Sequence, residues 1–342
     1  MDESVLDTIE ASLKERKENL RRWLSEAPAE AKASAMGPAG EKAVEARLEA
    51  IDQSVARAEA GELGVCTVCH DYVDTRRLLI DYTASVCIDH LSPEEAMGLE
   101  RELELAQVVQ QGLLPSEVPE VPGLELAAFT RPAQIIGGDY FDFLMFEGGD
   151  HGLALGDVAG HGVSASLHMA GLQALARALV PAHRSPSEVI SQIHHLFNHN
   201  SRYTTFVTLF LAAFSPIPGT LTYCNAGHNP PFVVRDGAGR GPQIEWLHPT
   251  GAAIGLVEAA AYRDAHVSLN KGDCLVLYTD GVVEAGNGKG DPFGTERLSK
   301  IVTDERHEPA RAIVQALMRS LEAFSDGKPL ADDATLVVGK VG

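Results

Sequence analysis

The chain has 342 residues, 45% of them hydrophobic, and a formal net charge of −20 at pH 7. This length accommodates two domains, or one large domain with an extension, and the apolar content is ordinary for a protein with a hydrophobic core. The strongly acidic balance argues against broad, non-specific binding to nucleic acid or to anionic membranes, because phosphate groups attract proteins mainly through basic surface.

The order of residues along the chain excludes further classes. No run of about eighteen apolar residues occurs, so no transmembrane helix is predicted. The N-terminal stretch MDESVLDTIEASLKERK is charged and lacks the apolar segment of a secretory signal. The cysteine count is odd, which without a signal peptide favours reduced thiols in the cytoplasm over a disulfide framework. The five cysteines are Cys66, Cys69, Cys87, Cys224 and Cys274.

Residues 1–62 are predicted to form an antiparallel helical hairpin. Apolar residues recur at three- to seven-residue spacing in two stretches, which indicates two amphipathic helices with narrow, coiled-coil-like stripes. The segment between them, APAEAKASAMGPAG, holds two prolines and two glycines and predicts a loose turn. The stripes are Leu6, Ile9, Leu13, Leu20 and Leu24, and then Val44, Leu48, Ile51 and Val55.

Residues 63–91 carry the spacing of a small zinc site. Cys66-x-x-Cys69 is followed, after seventeen residues, by Cys87-x-x-His90. Two paired ligands at this distance suit three thiolates and one imidazole around tetrahedral Zn²⁺. The alternative is that these cysteines are buried and pack as small apolar groups. The double pair favours one structural zinc ion.

A third helix is predicted from Ser92, and a proline-rich segment follows it. Ser92 suits the N-cap, Pro93 the first helical position and Glu95 the capping-box partner. An apolar stripe then continues until three prolines stop it in the segment LLPSEVPEVPG. We therefore interpret residues 92–115 as a linker helix, either a connecting rod or dimerisation element or a helix that packs on the domain at 116–342.

Residues 116–342 alternate many strand-like runs with few long helices. Helices are predicted at 164–180, 186–200 and 308–324, and this mixture indicates an α+β protein with largely antiparallel sheets. The strand-like runs are LELAAF, FDFLMF, HGLALGDV, TTFVTLFLAAF, GTLTYCNAG, PPFVVRDG, HVSLNKGDCLVLYTDG and ATLVVGKV.

Four aspartates lie at predicted strand ends: Asp139, Asp157, Asp280 and Asp332. Glycine adjoins three of them, and an isolated Asp-Gly pair is most often a simple turn. Four carboxylates delivered to strand ends favour one assembled site, since hard divalent cations take oxygen ligands and keep several waters.

The chain from about 103 to 341 resembles the metal-dependent PPM protein serine/threonine phosphatases, in the bacterial branch typified by SpoIIE and RsbU. The resemblance implies an αββα sandwich whose two central sheets present acidic side chains at one edge. It also implies hydrolysis of a phosphomonoester by a water activated between two Mn²⁺ or Mg²⁺ ions. The motifs that carry it are LAQVVQQGLLP, RPAQIIGGDYFDF, GDVAGHGVSAS, YTTFVTLFLAAF, YCNAGHNPPFVV, LYTDGVVEAGN, FGTERL and ADDATLVV.

The resemblance also implies a role for each aspartate. Asp157 bridges both ions, and the backbone carbonyl of Val158 completes one coordination shell. Asp280 and Asp332 bind the second ion, and Asp139 supports the first, directly or through water.

The sequence leaves the roles of several further residues open. Asp333 is the alternative to Asp332, which is preferred because the first aspartate of Asp-Asp-x-Thr matches the family's ligand. His161 could donate a proton or bind phosphate, or could be a helix-entry residue without a chemical role. His228 is interpreted as loop scaffolding. Arg131 is a weak candidate for gripping phosphate, and a structural surface arginine is the favoured interpretation.

The N-terminal third resembles a second family, the DksA/TraR zinc-finger proteins, in LEAIDQSVARAEAGELGVCTVCHDYVDTRRL and ASVCIDHL. In that family a helical hairpin precedes a small zinc finger. His90 stands where cysteine is more typical, which still suits zinc because Cys3His sites are common.

Together these resemblances imply a regulated phosphatase. The expected substrate is a phosphoserine or phosphothreonine on an STAS-type anti-sigma-factor antagonist, and the expected assembly is a cytoplasmic homodimer controlled by its N-terminal residues. The alternative is a regulator that docks on RNA polymerase or another partner and carries a catalytically silent phosphatase domain. A nucleotide cyclase is disfavoured, because GGDYF only partly matches the GGDEF phrase of diguanylate cyclases.

Overall fold

The computed structural model describes residues 3–26, 40–73, 83–87, 90, 92–160, 162–200, 205–235, 241–287, 291–328 and 330–342. The chain separates into two compact units, residues 1–101 and 102–342. The division falls inside the predicted linker helix, and the finer domain boundaries given above stay a prediction. None of the helices in the described part is both long and apolar enough to span a membrane.

The N-terminal unit is built on two helices, α1 (Glu3–Glu26) and α2 (Gly40–Glu59). The predicted stripes meet, because Ile9 and Leu13 share a buried cluster with Ile51 and Val55. Asp52 on α2 forms ion pairs with Lys17 and Arg21 on α1. Most of the predicted turn between the helices, residues 27–39, lies outside the described residues. Helix α3 (Pro93–Leu113) begins at the predicted proline and runs into the second unit.

The second unit contains two five-stranded sheets in which every strand pair is antiparallel. The first has the order β1-β10-β9-β6-β7 and the second β2-β3-β4-β5-β8. The strands are β1 (Leu124–Arg131), β2 (Tyr140–Met145), β3 (His151–Val158), β4 (Val207–Ser215), β5 (Thr220–Ala226), β6 (Phe232–Arg235), β7 (Gln243–Trp246), β8 (Ala265–Ser268), β9 (Cys274–Tyr278) and β10 (Ala334–Val341).

Period-two alternation assembles these sheets into four layers. On β10, Leu336 and Val338 face a helical layer while Val337 faces the other sheet. Likewise Leu211 on β4 faces helices and Phe210 faces the first sheet. Both faces of each sheet are therefore buried, which explains why these strands are almost continuously apolar. The helices are α4 (Gly162–Leu179), α5 (Pro186–Asn200), α6 (Asp280–Glu284), α7 (Gly294–Glu305) and α8 (Ala310–Phe324).

The predicted αββα architecture is confirmed, with local differences. Sequence patterns missed β7, a four-residue strand that is largely exposed, and the helices α6 and α7. The run HVSLNKGDCLVLYTDG, predicted as one strand, is two strands in different sheets. The turn at Asn270–Asp273 separates them, with the Asp273 N–H donating to the Asn270 carbonyl. Short elements carry too few residues for periodicity to identify them.

Candidate active site

The four predicted aspartates come from both sheets and meet at one edge of the sandwich. Asp139 directly precedes β2, and Asp157 is the penultimate residue of the neighbouring β3. Asp280 follows β9 as the first residue of α6, and Asp332 lies just before β10, which pairs with β9. Each sheet therefore contributes two of the carboxylates.

Electrostatic coupling shows that these carboxylates face one another. Burial, followed by the charges of Asp280, Asp332, Asp333 and Glu284, raises the pKa of Asp157 to about 7. None of these influences comes from a basic side chain. Burial likewise raises the pKa of Asp280, with Asp332 and Glu284 adding to the effect. The site thus concentrates negative charge without a compensating cation from the described residues.

Asp139 is held rigidly by neutral donors. Its Oδ2 accepts hydrogen bonds from the hydroxyls of Thr279, at 2.8 Å, and Thr335, at 2.6 Å. Thr335 is linked in turn to the hydroxyl of Thr130 at 2.8 Å. The other oxygen, Oδ1, is buried and accepts no hydrogen bond from the described residues. Burial, followed by the charge of Asp157, raises the pKa of Asp139 well above its usual value.

The structure distinguishes the adjacent aspartates that the sequence left as alternatives. Asp333 is buried and both of its oxygens are engaged, one by the Ala133 N–H at 2.7 Å and one by the Gly138 N–H at 2.6 Å. Asp332 is exposed, and its Oδ1 accepts a hydrogen bond from the Asp333 N–H. Asp332 is therefore the one with a carboxylate free to face the site, whereas Asp333 organises the loop before β2.

Two glycines permit the close approach of these segments. A Cβ on Gly281, next to Asp280, would overlap with the backbone carbonyl of Asp333. A Cβ on Gly138 would lie 3.0 Å from the carbonyl oxygen of Val158, the proposed backbone ligand. The absence of side chains at these two positions lets the backbone come this near, and the Val158 carbonyl lies beside the loop that carries Asp139.

The aspartates converge without forming a tight cage. Across the described parts of the chain, a group of three or more ligand atoms within 4.8 Å occurs at the Cys/His cluster and not at these carboxylates. Mg²⁺ and Mn²⁺ are commonly bound through one or two carboxylates each and keep several waters, so they do not require a cage made of protein atoms alone. The oxygen-only donor set and the unpartnered Asp139 Oδ1 fit hard divalent cations.

Sequence reasoning missed several residues at this edge. Thr279 and Thr335 stand next to predicted ligands in LYTDG and DDATL but had been given no role. Glu284 lies one helical turn after Asp280, a spacing that could have revealed it, and its charge acts on both Asp157 and Asp280. Gln110 on α3 contacts the loop before Asp139 and had no detectable signal in the sequence.

The contacts of His228 and Arg131 indicate structural roles for these two candidate residues. His228 is buried, its Nδ1 pairs with the Thr208 hydroxyl at 2.9 Å, and burial lowers the pKa of His228 to about 4. The imidazole is thus neutral at pH 7, consistent with the scaffolding interpretation. Arg131 forms an exposed ion pair with Glu322 at 2.7 Å, as expected for a surface arginine. His161 lies outside the described residues.

A second candidate metal site lies in the N-terminal unit. Cys66, Cys69, Cys87 and His90 place their ligand atoms within 4.8 Å of one another. The Cys69 and Cys87 Sγ atoms are 3.8 Å apart, and Cys66 Sγ is 3.9 Å from His90 Nδ1. A tetrahedron with Zn–S bonds of about 2.3 Å has edges of roughly 3.8 Å. Cys66 also accepts N–H donation from Val68, and such donation suits a thiolate ligand.

Comparisons with known proteins agree with this geometry. Residues 147–342 match the family model described as Stage II sporulation protein E (SpoIIE). The chain is 30% identical over 240 residues to the phosphoserine phosphatase RsbU of Bacillus subtilis, covering 70% of each protein. It is 24% identical over 246 residues to the phosphoserine phosphatase RsbP of the same organism, covering 71% of this chain and 58% of RsbP.

Solved structures share the architecture. The SiaA-PP2C domain of Pseudomonas aeruginosa matches with a TM-score of 0.63 at 21% identity, over 72% of this chain and 99% of that domain. The RsbU and RsbW domains of Rv1364c from Mycobacterium tuberculosis match with a TM-score of 0.56 at 28% identity, over 67% of this chain and 62% of that one. The described sandwich therefore has the PP2C fold.

The raised pKa of Asp157 predicts a pH-dependent stability. Between its usual pKa of 3.8 and its folded value of about 7, the folded state binds more protons than the unfolded state. Without added Mn²⁺ or Mg²⁺, the free energy of unfolding should therefore fall as pH rises from about 4 to about 7, by at most about 1.4 kcal/mol per pH unit from this group.

Urea unfolding at several pH values measures this slope. Asp157→Asn should reduce the slope and raise stability at pH 8, whereas Asp304→Asn, at an exposed position on α7, should leave both unchanged. An Asp157→Asn slope equal to that of the unmodified protein would contradict the assignment of this carboxyl.

Proposed function

Because the chain belongs to the SpoIIE family of protein serine/threonine phosphatases, we propose that Asp139, Asp157, Asp280 and Asp332 hold two Mn²⁺ or Mg²⁺ ions at its active site. The single observation that carries this proposal is that two carboxylates from each sheet meet at one edge of the sandwich, where burial and like charges raise the pKa of Asp157 and Asp280. Like charges gathered in a partly buried site are stabilised when divalent cations bind them.

Each residue contributes to the chemistry in a distinct way. When bound, the two ions lower the pKa of a water for attack on phosphorus and neutralise charge on the phosphoryl oxygens. Asp157 is close enough to Asp280 and Asp332, from the other sheet, for their charges to act on it, so it would be suited to hold both ions, with the backbone carbonyl of Val158 next to it in the chain. Asp139 offers Oδ1 from a carboxylate whose other oxygen is fixed by two hydroxyls. Asp280 and Asp332 complete the set from the other sheet.

The substrate we propose is a phosphoserine or phosphothreonine on a regulatory protein of the STAS-type anti-sigma-factor antagonist class. Support comes from the relatives RsbU and RsbP, which are named phosphoserine phosphatases. The active-site edge is formed by strand ends and short loops, so a phosphorylated side chain on another protein can approach it.

For the N-terminal unit we propose one structural Zn²⁺ bound by Cys66, Cys69, Cys87 and His90. The support is that the four ligand atoms lie within 4.8 Å of one another and that Cys66 is buried. Thiolate ligands require a reducing compartment, in agreement with the cytoplasmic location that the cysteine content predicts.

We further propose that the N-terminal residues regulate the phosphatase through α3 and that the protein acts as a homodimer. The support is that α3 begins in one compact unit and ends in the other as one continuous helix. Side chains Leu105, Val108 and Val109 on α3 are exposed and apolar. Docking on RNA polymerase or a sensor protein would be a further use of the N-terminal unit.

The proposed metal site predicts metal-dependent hydrolysis. The full-length chain with Mn²⁺ should hydrolyse para-nitrophenyl phosphate and a phosphoserine-bearing protein, and EDTA should abolish turnover. Asp280→Asn should reduce turnover by at least about 100-fold, because loss of an outer partner of a metal ligand alone costs about 10–100-fold.

Asp304→Asn is the matched control and should retain full turnover. Asp332→Asn should lose Mn²⁺-dependent turnover with little change in the free energy of unfolding, whereas Asp333→Asn should be destabilised because two backbone donors lose a charged acceptor. Unchanged turnover in Asp280→Asn would refute the proposed ligand set.

The proposed zinc site predicts about one zinc ion per chain in the purified protein. Cys66→Ala should abolish this content because it removes a ligand from the centre of the cluster. Cys224→Ala, at a buried cysteine of the phosphatase unit, should retain it. Elemental analysis by mass spectrometry measures both, and equal zinc in the Cys66→Ala variant and the unmodified protein would exclude this ligand set.

The proposed regulation predicts that residues 1–91 alter catalysis. Deleting them should change turnover of the phosphoprotein, or its response to a binding partner, because the deletion frees α3 from the unit in which it begins. Parallel assays of the full-length and shortened chains, with sedimentation to determine their oligomeric states, measure the effect. Identical behaviour under all conditions would rule the regulation out.

A further inference from the structure

The loop that carries Asp139 has little support of its own. Residues 132–139 join β1 to β2, which belong to different sheets, so the loop has no strand partner along its length. Two of its N–H groups, those of Ala133 and Gly138, donate to the buried carboxylate of Asp333. These contacts hold the loop from the side of β10 and leave its opposite side to be held by another element.

The side chain of Gln110, on α3, supplies a second set of hydrogen bonds to the loop. The Gln110 Nε2 donates to the Gly137 carbonyl at 2.6 Å, and the Gly137 N–H donates to Gln110 Oε1 at 3.0 Å. One side-chain amide thus satisfies both backbone groups of a buried residue, as a neighbouring strand would. Gly137 is two residues before Asp139. Only glycine fits at position 137, because a Cβ there would overlap with the Asp333 carboxylate.

The end of α3 is itself anchored to the phosphatase unit. Buried Gln173 on α4 donates from Nε2 to the carbonyl of Leu113 at 3.0 Å. Gln110 and Asp139 also line one small cavity of about 100 Å³, together with Thr130 and Asp333. Gln110 therefore lies near an anchored helix end and beside the cavity that Asp139 also lines.

We propose that Gln110 is a positioning residue for the metal centre, because its double hydrogen bond to Gly137 fixes the turn that places Asp139. The inference rests on the proposed function, in which Asp139 holds a cation. Gln110 touches neither the ion nor the substrate, so its loss should weaken metal binding more than it slows the reaction of the loaded enzyme. Outer partners of metal ligands typically change metal affinity by about 10–100-fold.

The test compares Gln110→Met with Gln111→Met in the full-length chain. Both variants make the same near-isosteric change on adjacent residues of α3, and both side chains line the cavity beside Asp139. Within the described residues, hydrogen bonds to the loop are formed by Gln110 and not by Gln111. Calorimetric titration with Mn²⁺ should give a dissociation constant about 10-fold higher for Gln110→Met and an unchanged one for Gln111→Met. The Mn²⁺ concentration for half-maximal activity should rise likewise, with kcat at saturating Mn²⁺ within about 2-fold.

A second readout needs no metal and no activity. Hydrogen exchange of the segment 132–139, measured without added Mn²⁺, should be faster in Gln110→Met than in Gln111→Met. In the unmodified protein the Gly137 amide should be protected from exchange. An unprotected Gly137 amide would overturn the proposal even if Gln110→Met failed to fold, and unchanged Mn²⁺ affinity in a folded Gln110→Met would overturn it as well.

These outcomes are separable from failure of the proposed function. If the unmodified chain and Asp139→Asn bound Mn²⁺ equally, the metal assignment of Asp139 would be wrong whatever Gln110 does. If Asp139→Asn lost affinity and Gln110→Met did not, only the positioning role would be excluded.

Discussion

The active-site edge depends on how this protein buries carboxylates without basic partners. Asp333 is satisfied by two backbone N–H groups, and Asp139 receives two threonine hydroxyls on a single oxygen. Neutral donors orient a carboxylate without bringing a positive charge into the site, so a bound cation would meet no competing charge from them. A lysine or arginine in the same place would hold the carboxylates equally well but would lower their pKa and compete with a cation for them.

The same hydrogen bonds join the two sheets. Asp139 introduces β2 of one sheet, whereas Thr279 and Thr335 belong to the ends of β9 and β10 in the other. The site is therefore assembled by closure of the sandwich itself, and the hydrophobic layer between the sheets fixes the distance between its halves. The loop before β2 is the part of this edge that strand pairing does not hold, which explains why a helix outside the sandwich can influence it.

The N-terminal unit has a different physical problem, because it is small. Its described core contains few buried apolar residues, and Cys66 belongs both to that core and to the Cys/His cluster. A bound metal can supplement a limited core. A zinc ion bound by these residues would link the segment after α2, which carries Cys66 and Cys69, to the segment that carries Cys87.

The sequence by itself determined the class of fold and the long helices, and it predicted two ligand sets, with hard cations at the aspartates. These follow from period-two and helical patterns and from residue chemistry at strand ends, all of which are local. It left Asp332 and Asp333 as alternatives and gave no role to Thr279, Thr335, Glu284 or Gln110. Only the tertiary structure decided these, because a residue that orients a ligand is recognised by a contact between distant segments. Asp139 meets Thr335, and Gly138 meets Asp333, across almost two hundred residues of chain.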